Sequence, residues 1–141
     1  MRPRLVEEIC AKTKLDVGYH NTLATIIARI EGGGCEVLTR DDGIPSSYDP
    51  YTSRPPIIRV NLRDVDDPLN IFWRLFHEYG HHLSGDRQKG DHDLDREELA
   101  WQKADELIVE YPDLLLCKDD YERCREHDLN TYRVYYARGN N

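Results

Sequence analysis

Residues 76–83 read Phe-His-Glu-Tyr-Gly-His-His-Leu and contain the pattern His-Glu-x-x-His. No other stretch constrains the chain as much. On an α-helix His77 and His81 are one turn apart, so both imidazoles leave the same face and can share one metal ion. Two neutral imidazoles suit Zn²⁺, and Glu78 is placed to reach a metal-bound water. The pattern needs a helix, and its flanks supply one. Asp67-Pro68 reads as an N-cap followed by Pro at N1, and Gly85-Asp86 reads as a stop. Between them Leu69, Phe72, Phe76, Tyr79 and Leu83 recur at spacings of three and four, an apolar stripe for a core. His77 and His81 lie beside that stripe. One side of the helix packs while the adjacent side holds polar chemistry.

A chain of 141 residues is expected to form one domain with a real core. The chain divides into N-terminal helices (1–34), a catalytic core (35–110) and a C-terminal extension (111–141). Its formal charge of −8 argues against nucleic acid as a direct partner, because phosphate contacts need a basic surface. A protein or peptide partner remains compatible. No apolar run approaches the ~20 residues that span a bilayer. Residues 1–8 turn acidic where a signal peptide turns apolar, so a cytoplasmic location without membrane attachment is expected. The four cysteines form no Cys-x-x-Cys pair and are expected as reduced thiols.

The chain opens with a helix over 3–14. A second helix, capped by Asn21 or Thr22, carries Leu23, Ile26, Ile27 and Ile30 on its buried side. Gly32-Gly33-Gly34 ends it; the triple glycine lacks the Lys-Ser/Thr of a phosphate loop. Strands are expected at 35–39 and 57–62, with an irregular loop at 44–56 between them. A third long helix spans 95–110, with Asp95 and Glu98 as its capping box. In the extension, Leu114-Leu115-Leu116 should be buried. Residues 121–136 fit a helix, although 131–136 fit a strand equally well.

Catalytic zinc takes three protein ligands and leaves a position for water. Along the third helix Ala100, Ala104, Leu107 and Ile108 form the apolar face. Glu97 projects onto the middle of that face, and Glu98 lies about 100° away towards its edge. A carboxylate on an apolar face needs a partner, and a metal ion is one. Glu97 is therefore the favoured third ligand, with His92 in the preceding loop as the fallback; His82 points past Glu78 and is poorly placed. Small Ala100 and Ala104 allow this helix to approach the motif helix closely.

Three runs now stand together: Ile57-Ile58-Arg59-Val60-Asn61, the motif at 76–83, and Glu97-x-x-Ala100-x-x-x-Ala104-x-Glu106-Leu107-Ile108. Over about residues 35–110 the chain resembles the ImmA/IrrE metallopeptidases. Trp101 and Lys103 replace the family's usual Asn and Phe, and Tyr79 replaces Leu, but none of these is a proposed ligand. The resemblance implies a gluzincin-like α+β fold, with a small, mainly antiparallel sheet packed on a zincin-type motif helix and further helices on either side. It implies zinc held by His77, His81 and Glu97. It also implies a substrate class, the DNA-binding repressor proteins cleaved in stress responses or encoded nearby on mobile elements.

The expected function is a zinc-dependent endopeptidase in which Glu78 activates the zinc-bound water. The strand at 57–61, if it lies at a sheet edge, offers an extended substrate a pairing partner. Tyr48, Tyr51 and Tyr79 are candidates for stabilising the oxyanion; Tyr79 projects towards the packed face, and Tyr48 is carried forward beside Glu78 as catalytic. The alternative is a zinc-binding protein-interaction module without turnover, against which Glu78 counts, because a structural site needs no carboxylate there.

Overall fold

The computed structural model describes residues 3–51, 54–65, 67–85 and 93–139. Six helices and three strands make a mixed α+β arrangement. In chain order they are α1 (Pro3–Thr13), α2 (His20–Gly32), β1 (Glu36–Arg40), β2 (Ser47–Asp49), β3 (Ile57–Asn61), α3 (Asn70–Leu83), α4 (Asp93–Ile108), α5 (Pro112–Leu115) and α6 (Lys118–Ala137).

Helix α1 has Pro at its first position and buries Leu5 and Ile9. It ends where Lys14 turns left-handed at φ 59°. Helix α2 buries the expected Leu23, Ile26, Ile27 and Ile30. Its cap differs from expectation. The N-cap is Tyr19 with no side-chain bond, and the Thr22 hydroxyl instead donates to Asp113 of α5. At the other end Gly34 takes φ 98°, and Cys35 N and Gly34 N donate to the carbonyls of Ile30 and Glu31. These are the two bonds of a Schellman stop, which needs a residue at ease in the left-handed region.

The sheet has the order β1-β3-β2. β3 pairs with β1 in parallel over five residues and with β2 antiparallel over three. The expectation of a mainly antiparallel sheet is overturned, and the condition that β3 lie at an edge is not met. β3 is central and β2, inside the expected loop, is the added edge. The reason lies in Asn61, which is fully buried at the end of β3. Its amide nitrogen donates to the carbonyls of Asp42 and Ile44, its backbone N–H donates to the Ser46 hydroxyl, and its side-chain oxygen accepts from Arg63 N. This clasp carries the chain after β1 over the end of β3, so β2 lands on the far side.

Helix α3 packs on β2 and β3 and against α4 and α6. It is buried on more sides than its stripe predicts. Ile71, Trp73 and Leu75 are as inaccessible as Phe72 and Phe76, whereas Leu83 is 41% exposed. The N-cap of α3 is Leu69, not the expected Asp67, which instead caps the turn before the helix: its carboxylate accepts from Leu69 N and its carbonyl from Asn70 N.

Helix α4 starts at Asp93, so Asp95 falls inside its first turn and does not cap it. The extension is helical throughout 118–137, and the strand alternative at 131–136 is excluded. Of the three leucines, Leu114 is buried but Leu116 is 89% exposed. α6 is mostly polar. It docks by burying Tyr121 and Leu129 and by accepting two indole N–H groups, Trp73 on Asp120 and Trp101 on Asp128. A buried indole needs such an acceptor. All four cysteines are free thiols. Among the described residues no helix is long and apolar enough to cross a membrane.

Candidate metal centre

Helices α3 and α4 lie side by side, and their facing turns bring three ligand-type side chains together. His77 Nε2 is 3.4 Å from Glu97 Oε2, and His81 Nε2 is 2.5 Å from the same oxygen. One ligand atom from each residue lies within 4.8 Å of the others, so the group could hold a metal ion. Ligands 2.0–2.2 Å from a tetrahedral zinc lie roughly 3.3 Å apart. The His77–Glu97 separation already matches, while His81 and Glu97 are closed onto a direct hydrogen bond. The donor set, two imidazole nitrogens and a carboxylate, fits zinc. His77 Nδ1 is buried with no hydrogen-bond partner, so this imidazole is held mainly through its Nε2 edge and by packing.

Burial alone would keep these groups neutral. It pulls the His77 pKa down, but the hydrogen bond from Glu97 and the carboxylates of Glu78 and Asp128 reverse this and raise it above the ordinary value. For Glu97 burial pushes up, yet the hydrogen bonds to His77 and His81 prevail and hold it far below the usual carboxylate range. Burial raises the pKa of Glu78, against the opposing pull of His77 and His81. Its carboxylate lies 3.5 Å from His77 Nδ1 and, like His77, faces an open cleft of about 900 Å³. A cleft of that size lies at the upper end of the range for ligand pockets.

Tyr48 comes from the opposite wall, on β2. Its hydroxyl is 2.7 Å from His82 Nδ1, and His82 Nε2 is 3.0 Å from the Gly33 carbonyl. A carbonyl only accepts, so Nε2 carries the hydrogen and the Tyr48 hydroxyl donates to Nδ1. His82 thus ties the glycine turn to the cleft wall and makes no ligand contact. Tyr79 is buried with its hydroxyl against Gly33, where any side chain beyond hydrogen would collide with it. Tyr51 stands at the cleft rim, 74% exposed. Glu98 is half-buried outside the ligand group. His92 lies outside the described residues.

Two residues that sequence reasoning missed also line the cleft, Asp128 and Tyr132 of α6. Asp128 Oδ2 is 3.8 Å from His77 Nε2, and its other oxygen is 3.8 Å from Arg74. Burial first, then the nearby Glu97 carboxylate, raises the pKa of the Tyr132 phenol. The signal was available. Tyr121, Cys124, Asp128 and Tyr132 recur at spacings of three and four, and an Asp within such a stripe invites the same question as Glu97.

No known family model, curated protein or solved structure matches this chain.

Proposed function

We propose that this protein is a zinc-dependent endopeptidase. The observation that carries the reading is the convergence of His77, His81 and Glu97 with the Glu78 carboxylate beside them, lining an open cleft of about 900 Å³. Zinc held by the three ligands supplies Lewis acidity, polarising the scissile carbonyl and acidifying a water.

The remaining work falls to the chain's own groups. Glu78 accepts the proton of the attacking water at its carboxylate and hands it to the departing amine nitrogen. Trp101, stacked on the His77 ring at 4.4 Å, excludes solvent from behind that ligand. Tyr48, once its hydroxyl hydrogen turns from His82 Nδ1, offers it to the carbonyl oxygen as charge develops there. The resemblance to ImmA/IrrE metallopeptidases, with its gluzincin-like ligand set, makes a DNA-binding repressor the proposed substrate. The test is to incubate zinc-loaded protein with a peptide library and identify new termini by mass spectrometry, with Glu78→Gln as the matched control. Cleavages made by wild type and absent from Glu78→Gln are expected. A library left intact by wild type, or cut equally by both, sinks the reading.

A further inference from the structure

Helix α6 lies outside residues 35–110, which carry the resemblance, and the mechanism above gives it no part. Yet it reaches two of the three ligands. Tyr132 lines the same cleft as Glu97, near enough for that carboxylate to raise its pKa. Asp128 accepts the Trp101 indole N–H at 3.0 Å, and that indole lies flat on the His77 ring, tilted by only 8°. His77 therefore owes its orientation to a packed ring that α6 holds in place. The Asp128–Trp101 bond helps to dock the helix, but other contacts hold it there as well. Docking uses Asp120 on Trp73, Tyr121 on Asp105 and the buried Leu129. Tyr132 is one turn further on, half-buried and facing the cleft.

We propose that α6 is the outer shell of the metal centre: Tyr132 positions Glu97, and Asp128, through Trp101, positions His77. The proposal rests on the metal-binding reading of the site. Its chemistry is that of second-layer groups in metalloproteins, which orient ligands and raise their basicity, and whose loss weakens metal binding about 10–100-fold. Asp128 needs only to accept a hydrogen bond, so an amide oxygen can replace it and a methyl cannot.

The experiment measures zinc affinity by competition with a chromophoric chelator, the visible absorption of the cobalt(II) form, and the Tm of the metal-free protein. The proteins are wild type, Tyr132→Phe, Asp128→Ala, Asp128→Asn and, as a control on the same helix, Tyr135→Phe. Tyr132→Phe and Asp128→Ala are expected to weaken zinc binding about tenfold or more and to alter the cobalt bands. Asp128→Asn should recover most of the affinity, Tyr135→Phe should match wild type, and the metal-free Tm of Tyr132→Phe should not move. Wild-type affinity in both Tyr132→Phe and Asp128→Ala overturns the proposal alone. So does a loss that tracks a fall in metal-free Tm, since that is a packing role. A wild type that binds no zinc, even when reconstituted, overturns the peptidase reading as well.

Discussion

The backbone of Gly80 in α3 lies against the carbonyl of Ala100 in α4, so close that a Cβ at position 80 would collide with it. His77 is one turn before Gly80, and Glu97 is one turn before Ala100. The contact of these two small residues therefore sets how near the His-bearing helix comes to the Glu-bearing helix. The candidate metal centre depends on the missing side chain at Gly80.

Gly80→Ala tests that relationship. In an isolated helix the change would stabilise by about 1 kcal/mol. Here the added methyl meets main chain, which cannot rotate away, and overpacking costs about 1–3 kcal/mol or more. The expected result is a net loss in urea denaturation, together with weaker zinc binding. Unchanged or increased stability would show that the helices can part without cost.

Metal content reports on the ligands directly. Purified or zinc-reconstituted wild type should carry close to stoichiometric zinc by elemental analysis. His77→Ala, His81→Ala and Glu97→Gln should lose it, and Glu98→Gln should keep it. Zinc retained in full by Glu97→Gln would remove Glu97 from the ligand set.

Tyr48 separates cleft chemistry from metal binding. Its hydroxyl bonds His82 across the cleft wall, so Tyr48→Phe should cost about 1 kcal/mol of stability. Zinc content should not change, because Tyr48 makes no ligand contact. Hydrolysis of any peptide found to be cleaved should fall about 10²-fold or more, the usual cost of one oxyanion donor. Undiminished turnover would exclude Tyr48 from the reaction.

Alkaline pH should weaken the fold in a defined window. Burial pushes the Cys35 thiol up to about 11 from its ordinary 9.0. Burial, then the hydrogen bond to Asp105, raises the Tyr121 phenol as well. Both are neutral acids whose pKa is higher folded than unfolded, so the unfolded chain releases protons first. Their contribution is complete below pH 9 and declines as pH climbs towards 11, with Tyr121 adding its share above its ordinary value of 10.0. The urea midpoint should change little from pH 7.5 to 9 and fall from pH 9 to 10, and Cys35→Ala should reduce that fall. A midpoint flat to pH 10 would contradict this account.

What the sequence determined by itself is whatever one helix or strand settles alone. The 3.6-residue repeat placed His77 and His81 on one face, put Glu97 on the buried face of the following helix, and marked Leu23, Ile26, Ile27 and Ile30 as core. These are local geometries, with partners three or four residues apart. Tertiary structure decided the rest, because the deciding contacts join residues far apart in the chain. The parallel pairing of β3 with β1 depends on Asn61 gripping carbonyls 17 and 19 residues earlier. Tyr48 meets His82 across 34 residues, and Trp101 meets Asp128 across 27. The burial of Leu114 and exposure of Leu116 follow from where α5 happens to rest. Periodicity tells a residue which way to point along its own element; what it meets there is set by how the elements pack.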